Sequence, residues 1–226
     1  KKDRYPVPNV TVCLNRMSGA TIFSTGDALS GFWQILLRVE DRMKTAFATE
    51  EGLFEFVVMP FGLCNAPPTF CRAMDNIMGV LRTLFVILYV DDWMIATKKE
   101  EERDVIDLHL DQLEAALAKF SIGGKSLKAV KTHLFEHRVK FLGHIVSAKG
   151  REPAPETVSV IKQAQAPRTK SAIKSWTGAV GYYRHFVPQL AKKLKPINEL
   201  TRDNIRFGPS SAARLWTKRH QGLFQE

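Results

Sequence analysis

Three features are scarce or missing in this sequence: cysteine, long apolar runs and an excess of acidic residues. The 226 residues include only Cys13, Cys64 and Cys71, an odd number without metal-site spacing. This pattern excludes a disulfide framework and indicates thiols in a reducing compartment. The longest purely apolar run, residues 84–90, has seven residues, whereas a membrane helix needs roughly 18. We therefore expect no membrane partner.

Basic residues outnumber acidic residues by 33 to 23, so the formal net charge is +10. This charge favours a polyanionic partner, although many basic proteins bind no nucleic acid. A hydrophobic fraction of 45% and a charged fraction of 25% exclude a disordered chain. Because the sequence starts with Lys1 rather than Met and carries no signal peptide, we expect it to be part of a longer protein.

Hydrophobic spacing predicts mixed helices and strands before residue 150 and helices after it. The predicted strands are residues 21–24, 32–39, 44–49, 53–59, 85–90 and 93–97, and residues 139–146 are predicted as a strand pair or a bend around Gly143. The predicted helices are residues 10–17, the segment behind Pro67-Pro68, a helix ended by Gly123-Gly124, and two helices after residue 150. The buried stripe predicted for the helix before Gly123 is Ile106, Leu110, Leu113, Leu117 and Phe120.

Two adjacent carboxylates, Asp91 and Asp92, separate two apolar strands. Like charges this close favour protonation unless a cation neutralises them. Hard oxygen ligands prefer Mg²⁺, or Mn²⁺. On a regular strand the two side chains face opposite sides, whereas at a hairpin tip both can converge, or one can bind the ion and the other support it. The alternative is an ordinary turn, in which Asp is common.

Asp27 follows another strand and precedes a Gly31 break with aromatic residues. By itself it also fits a loop residue that caps the backbone. Together with a hairpin Asp-Asp, however, it forms the constellation used for two-metal phosphoryl transfer, in which cations about 3.5–4 Å apart clamp the attacking and leaving oxygens. Such a site needs carboxylates from separate strands at one end of a sheet.

These residues resemble the motifs of reverse transcriptases, in the version used by gypsy-type long-terminal-repeat retrotransposon Pol polyproteins. Residues 89–92 (YVDD) resemble the catalytic hairpin, and residues 27–35 (DALSGFWQI) resemble the first catalytic motif. Further matches occur in family order. They are residues 2–8 (KDRYPVP), 58–70 (VMPFGLCNAPPTF), 141–147 (FLGHIVS) and 181–188 (GYYRHFVP).

The resemblance implies a role for each matching residue. Asp27, Asp91 and Asp92 match the catalytic carboxylates, which implies two Mg²⁺ ions between them, with Mn²⁺ as an alternative. Phe32 matches the aromatic residue beneath the incoming sugar, where its ring excludes a 2′-hydroxyl, and Phe61 lies in the segment that lines the nucleotide pocket. A core Phe32 and a hydrophobic anchor at Phe61 are the alternatives.

The resemblance also implies residues that hold the primer and template. Tyr89 would touch the primer end or the template duplex, with a buried strand residue as the alternative. Phe141, Leu142, Gly143 and His144 match the primer-grip segment. Gly143 lets the backbone approach the primer closely, and His144 would help to hold a primer phosphate, unless it is a structural histidine.

The chain also departs from the family pattern. The family's basic finger segment would lie before Lys1. The stretch at residues 125–132 keeps Lys131 but has Thr132 where Cys is usual. The tail at residues 213–225 resembles the connection toward ribonuclease H, which we expect to lie beyond this chain.

The implied fold is α+β: a right-hand polymerase with a palm of antiparallel sheet and helices, partial fingers and a helical thumb. The predicted division is a lead-in at 1–19, a palm at 20–148 with a fingers insertion at about 39–64, a thumb at 149–202 and the start of the connection at 203–226. The thumb residues expected to touch duplex backbone, or to form a solvated helix face, are Lys170, Lys174, Arg184, Lys192, Lys193 and Lys195.

The implied function is RNA-directed DNA polymerisation, a nucleotidyl transfer to a primer 3′-hydroxyl. The expected partners are an RNA or DNA template with primer, deoxynucleoside triphosphates and the remainder of a Pol polyprotein. The expected location is a cytoplasmic element particle, with the nucleus as the alternative. Two other functions remain open: a non-catalytic nucleic-acid-binding relic, and an RNA-templated RNA polymerase, against which Phe32 speaks.

Overall fold

The computed structural model describes residues 2–225, apart from the side chains at 213, 214 and 225. Residues 1 and 226, the outermost positions of the predicted lead-in and connection, lie outside this part. The chain divides into two compact units, Lys1–Glu152 and Pro153–Glu226. Their boundary falls a few residues after the change of character predicted near residue 150, while the finer division into palm, fingers, thumb and connection stays a prediction.

The first unit combines helices with antiparallel strands. Its helices are α1 (Val10–Arg16), α2 (Val39–Arg42), α3 (Ala66–Met78), α4 (Leu81–Leu84) and α5 (Val105–Ile122). Its strands are β1 (Ala20–Asp27), β2 (Phe47–Thr49), β3 (Gly52–Phe54), β4 (Val86–Tyr89), β5 (Asp92–Lys98), β6 (His133–Glu136), β7 (Arg138–Phe141), β8 (His144–Ser147) and β9 (Gly150–Pro153). Short 3₁₀ turns occur at Gly31–Gln34, Met43–Thr45 and Ala129–Lys131.

The central sheet has the strand order β4-β5-β1-β6, with antiparallel neighbours. Its strands are apolar on both faces because both faces are covered. On one face, Trp93 and Ile95 pack with α3 and α5. On the other, Met94 and Ala96 pack with α1 and with the separate sheet β7-β8-β9. The strand ends that carry acidic residues therefore lie at the margin of a sheet that has an apolar cluster on each face.

The helices begin and end where local sequence chemistry requires. Pro67 and Pro68 occupy the first turn of α3, where a missing N–H costs nothing, and Gly79, with φ of 53°, ends it. The spacing of Phe70, Met74, Ile77 and Leu81 predicts a single helical face, but Leu81 lies beyond this break and belongs to α4. The side chain of Asp104 caps α5 by accepting hydrogen bonds from the N–H groups of Ile106 and Asp107.

The face of α5 that packs against the sheet differs from the predicted stripe. Leu113 and Phe120 are buried as expected, but Ile106 and Leu110 are more than half exposed and Leu117 is 38% exposed. The buried face also includes His109 and Ala116. The prediction was wrong at these positions because His109 is polar and so does not count in an apolar pattern, although the fold buries it with hydrogen-bonding partners.

Some predicted strands are shorter or absent. Residues 32–39 form a 3₁₀ turn and the start of α2, and only Leu36 makes an isolated bridge, to Val58. The predicted hairpin at 44–59 is reduced to β2 and β3, three residues each. The structure also adds β6, β9 and a helix after Pro155, which the spacing had not predicted.

The second unit is helical in its described residues after β9. It contains α6 (Pro155–Lys162), α7 (Lys170–Tyr182), α8 (Leu190–Glu199), α9 (Ala212–Leu215) and α10 (Lys218–Gln225), with a 3₁₀ turn at Arg184–Phe186. Ile173 and Ile197 are fully buried at its centre. In residues 2–225, no helix is long and apolar enough to cross a bilayer.

Candidate active site

The paired strands β1 and β5 bring two carboxylates together. Asp27, the last residue of β1, lies opposite Asp92, the first residue of β5. Asp91 precedes it in the hairpin that joins β4 to β5, and its carbonyl accepts a 2.9 Å hydrogen bond from the Ala28 N–H. This bond fixes the hairpin tip to the end of β1. The structure therefore places all three predicted carboxylates at one end of one sheet.

The environment of Asp92 opposes ionisation. Burial, a hydrogen bond with the Asp27 carboxyl and the charges of Asp27 and Asp91 together raise the pKa of Asp92 from 3.8 to about 7. The positive charge of Lys131 lowers the pKa of Asp92. The Nζ atom of Lys131 lies 2.5 Å from Asp27 Oδ2. Contact with Asp27 in turn raises the pKa of the exposed Lys131. One cation therefore balances only part of the negative charge at this site.

This donor set fits a hard cation. Carboxylate oxygens are the ligands that Mg²⁺ prefers, and a bound cation would relieve the repulsion that holds a proton on Asp92. Asp27 and Asp92 converge, whereas the Asp91 side chain is exposed. Within the described residues, no three acidic, His or Cys side chains already converge as a metal cluster. Asp27 and Asp92 thus supply the converged pair, with Asp91 beside them.

Two predicted nucleotide-binding residues meet near this end of the sheet. The ring centroids of Phe32 and Phe61 lie 5.5 Å apart, and Phe70 packs edge-on against Phe32 at 5.7 Å. Gly31 holds this turn close to the hairpin, because a Cβ at Gly31 would lie 2.9 Å from the Phe70 ring and 3.4 Å from Asp91 Cβ. Phe32 is partly buried, whereas Phe61 is 62% exposed.

The predicted primer-grip residues form the turn between β7 and β8. Leu142 and Gly143 both have positive φ, 47° and 70°, as a tight hairpin turn requires. Phe141, Leu142 and Gly143 line a cavity of 620 Å³ that also reaches Asp27 and Asp92. The structure therefore places this turn beside the carboxylates.

Two other predicted primer or template contacts, His144 and Tyr89, are less accessible to solvent. The His144 ring is buried, with 4% of the residue exposed, and its Nδ1 lies 2.8 Å from the Leu142 carbonyl oxygen. Tyr89 is half-buried and packs against the core on the β7-β8 side. Burial of His144 supports the structural alternative, and its role as a phosphate ligand stays a prediction.

Several basic residues of this cavity are not among the site residues predicted from the sequence. Besides Lys131, the lining contains His133, Arg138 and Lys140. Arg138 and Lys140 alternate along β7 and so share a face, directly before Phe141. That alternation was the available signal, although without the turn at Leu142 nothing in the sequence connects it to the distant carboxylates.

Solved structures share this architecture across the whole chain. A foamy viral protease-reverse transcriptase in complex with double-stranded DNA superposes with a TM-score of 0.86 at 23% identity, covering 100% of this chain and 38% of that one. The same kind of enzyme in complex with an RNA/DNA hybrid gives 0.78 at 24% identity, covering 99% and 30%. The fold is therefore that of a right-hand polymerase, as predicted.

The sequence matches the model of the reverse transcriptase (RNA-dependent DNA polymerase) family over residues 2–146. The chain belongs to this family, which confirms the predicted resemblance. The finer assignment to the gypsy type stays a prediction, as do the individual roles of the site residues.

The relatives are transposon polyproteins. The retrovirus-related Pol polyprotein from transposon opus of Drosophila melanogaster is 35% identical over 212 residues, 92% of this chain and 20% of the polyprotein. That from transposon 297 of the same fly is 36% identical over 205 residues, 91% and 19%. The transposon Tf2-3 polyprotein of Schizosaccharomyces pombe is 30% identical over 207 residues, 92% and 15%. The chain thus spans a fifth or less of these relatives.

Proposed function

We propose that this chain is the polymerase part of an RNA-directed DNA polymerase, which adds deoxynucleotides to a primer 3′-hydroxyl and releases pyrophosphate. The observation that carries the proposal is the placement of Asp27 opposite Asp92, with Asp91 beside them, in a chain of the reverse transcriptase family. The proposed partners are an RNA or DNA template with its primer, deoxynucleoside triphosphates and the remainder of a Pol polyprotein. The proposed location is a cytoplasmic element particle, with the nucleus as the alternative.

Asp27, Asp91 and Asp92 are the proposed ligands of two Mg²⁺ ions, for which Mn²⁺ can substitute. When bound, such ions neutralise phosphate charge and clamp the attacking and leaving oxygens of an in-line displacement. The protein's part is to hold these carboxylates in position, since phosphoryl transfer depends mostly on positioning and charge. Because the pKa of Asp92 is raised to about 7, a bound cation would favour the ionised form of this carboxyl.

The cavity beside the carboxylates fits a phosphate backbone. Its lining combines the turn at Leu142-Gly143 with the side chains of Lys131, Arg138 and Lys140. Basic side chains and backbone groups near a two-residue turn are the groups that position a nucleic-acid strand without reading its sequence. Phe32 and Phe61, in contact with each other, form the proposed floor for the incoming sugar and base.

Replacement of single carboxylates tests this function. Asp27→Asn and Asp91→Asn should each abolish primer extension in Mg²⁺ while leaving duplex binding nearly intact, because each removes a ligand but little of the basic surface. Asp107→Asn, on the exposed face of α5, is the matched control and should extend primers normally. Extension at the wild-type rate by either site variant contradicts the proposal. The wild-type chain could instead bind duplex but add no nucleotide, even with an upstream segment restored. That result would show that the chain is a non-catalytic nucleic-acid-binding relic.

A further inference from the structure

A glycine occupies the position next to Asp27 for a reason of space. Gly26 pairs with Trp93 across β1 and β5, one position inside the pair of Asp27 and Asp92. Its φ lies outside the left-handed region in which glycine is favoured. Any residue could adopt this backbone, and glycine in a strand interior weakens it. We therefore attribute the glycine to a neighbouring residue that occupies the space of a side chain.

That neighbour is the indole ring of Trp93. A Cβ built on Gly26 would lie 3.0 Å from both Cζ2 and Nε1 of Trp93, and 2.9 Å from Thr132 Oγ1. Carbon atoms in contact normally stay about 3.5–4.0 Å apart. The ring thus lies flat against the strand where a side chain would otherwise stand, and an alanine at Gly26 has to displace it.

The Trp93 ring has little freedom to move. The residue is 1% exposed, and its centroid lies 5.7 Å from that of Phe120 on α5. Its Nε1 is buried without a hydrogen-bond partner among the described residues, so packing alone holds the ring. A close-packed core transmits such a displacement rather than absorbing it.

The groups nearest to this space, on Trp93 and Thr132, are linked to the carboxylate site. Gly26 and Trp93 directly neighbour Asp27 and Asp92 in sequence. Thr132 Oγ1 donates a 3.0 Å hydrogen bond to the Lys128 carbonyl, and the Lys128 N–H donates a 2.9 Å bond to the Asp27 carbonyl. The intervening turn carries Lys131, the cation paired with Asp27. A shift at Gly26 therefore moves both carboxylates and their counter-ion.

We propose that Gly26 and Trp93 form a matched small–large pair that sets the separation of the Asp27 and Asp92 carboxylates, and so the affinity of this end of the sheet for divalent cations. Trp93 and Gly26 are positioning residues, since their side-chain space lies on the opposite face of the sheet from the carboxylates. The inference rests on the proposed function only in one respect: nucleotidyl transfer is the proposed use of the bound cation.

Mn²⁺ titration of the 226-residue chain, followed by electron paramagnetic resonance, tests the pair without any measurement of activity. Gly26→Ala should weaken Mn²⁺ binding by roughly tenfold or more, the scale found when groups behind metal ligands are changed. Trp93→Leu should weaken it less. The double variant G26A/W93L should bind more tightly than Gly26→Ala alone, because the shorter side chain leaves room for the new Cβ.

The matched control is Gly178→Ala. Gly178 lies in α7, lacks positive φ and has open space around its Cβ position, so this change should leave Mn²⁺ affinity unaltered. Wild-type Mn²⁺ affinity in Gly26→Ala, or a double variant no better than Gly26→Ala, overturns the inference. A lower Tm with unchanged Mn²⁺ affinity also overturns it, since the pair would then only stabilise the fold.

Two further outcomes decide the remaining cases. If Gly26→Ala does not fold, G26A/W93L must fold and match Trp93→Leu in Mn²⁺ affinity, and failure to do so contradicts the pair. A wild-type chain that binds no Mn²⁺ overturns this inference. A wild-type chain that binds Mn²⁺ but adds no nucleotide under any condition overturns only the proposed function.

Discussion

At the scale of single residues, Val90 has an unusual backbone conformation next to the site. It is a β-branched residue with φ of 55°, a conformation that is sterically costly for such a side chain. It directly precedes Asp91 and Asp92 in the hairpin between β4 and β5. Strain of this kind, of order 1–3 kcal/mol, persists where the surrounding structure over-determines the backbone. Here the 2.9 Å hydrogen bond from the Ala28 N–H to the Asp91 carbonyl holds the backbone in this conformation.

Phe32→Ala should admit ribonucleotides. The ring contacts Phe61 and Phe70 at the proposed sugar position, and its removal opens the space in which a 2′-hydroxyl is excluded by contact. The expected loss of discrimination between deoxy- and ribonucleotides is roughly 1–3 kcal/mol, measured as the ratio of kcat/KM values. Phe70→Leu, a change in the buried supporting ring, is the control and should alter the ratio far less. An unchanged ratio in Phe32→Ala would show that Phe32 is a core residue.

His109 forms a closed polar network inside the first unit. His109, Ser24 and Thr97 are each fully buried. The Phe135 N–H donates to Ser24 Oγ, which lies 2.7 Å from His109 Nε2. Thr97 Oγ1 lies 2.6 Å from His109 Nδ1 and donates to Gln112 Oε1. Because the Thr97 proton is already used, Nδ1 donates to Thr97 Oγ1. Burial lowers the pKa of His109 and so favours the neutral imidazole, in which Nε2 accepts from the Ser24 hydroxyl.

Stability should consequently fall as His109 is driven to protonate. Burial lowers the pKa of His109 from 6.5 to about 4, so between these values the unfolded chain binds a proton that the folded chain refuses. The contribution is present above pH 6.5 and is lost as the pH falls toward 4, by at most about 3 kcal/mol. Urea unfolding at pH 7, 6 and 5 measures it.

His109→Gln is the control because it removes the titrating group. Asp92 contributes with the opposite sign, since its raised pKa means that the folded chain keeps a proton up to about pH 7. The informative quantity is therefore the difference in slope between the two proteins, not the stability of either. Equal slopes would mean that folding does not lower the pKa of His109.

At the scale of elements, the orientation of α5 has a direct test. Leu113→Ala should destabilise the chain by about 2–5 kcal/mol, since Leu113 is 5% exposed and packs in the core with Trp93 and Phe120. Leu110→Ala should change stability by no more than about 0.5 kcal/mol, because Leu110 is 51% exposed. Thermal or urea unfolding of both variants measures the difference. Similar losses would restore the stripe that spacing alone predicted.

At the scale of the whole molecule, the lead-in is tied to the segment that carries Phe61. The Asp3 N–H donates a 2.9 Å hydrogen bond to Asn65 Oδ1. The Tyr5 hydroxyl donates a 2.5 Å bond to Asp75 on α3, and Arg72 pairs with Asp3 at 2.7 Å. Asp3 and Tyr5 are therefore held against Asn65 and α3.

Restoring an upstream segment should improve nucleotide use more than primer binding. The resemblance places basic finger residues for the triphosphate there, and each charge-assisted hydrogen bond contributes about 1.5–3 kcal/mol. Two such contacts correspond to roughly a hundredfold or more in affinity. The apparent nucleotide KM of residues 1–226 should therefore fall on extension toward the N-terminus, with little change in primer Kd.

An unchanged nucleotide KM would show that the nucleotide site is complete within this chain. Arg42 and Lys44 would then be the first candidates for the triphosphate contacts. Both lie in the fingers insertion predicted at about residues 39–64, where Lys44 is exposed and paired with Asp41 at 2.5 Å. Replacing each with Met in the same assay would identify the contact.

Much of this molecule was predictable from local pattern. The helix behind Pro67-Pro68, the strands on either side of Asp91-Asp92 and the helix ended by Gly123-Gly124 follow from proline geometry, apolar runs and glycine caps. The segments at 32–39 and 44–59 were predicted less well, because their apolar residues, such as Leu36 and Leu53, remain exposed. Hydrophobicity predicts strands only where something covers them.

The amino-acid sequence by itself determined the family, the motif order and the carboxylates, because these depend on residue types at fixed spacing. Only the tertiary structure decided which carboxylates converge, since the register of β1 against β5 pairs Asp27 with Asp92 and leaves Asp91 exposed. It also decided the burial of His109 and the contact between Gly26 and Trp93. The pairs Asp27–Asp92 and Gly26–Trp93 join residues more than 60 positions apart, and the hydrogen bond between Ser24 and His109 joins residues 85 positions apart. Side-chain packing in three dimensions, not local propensity, brings such residues together.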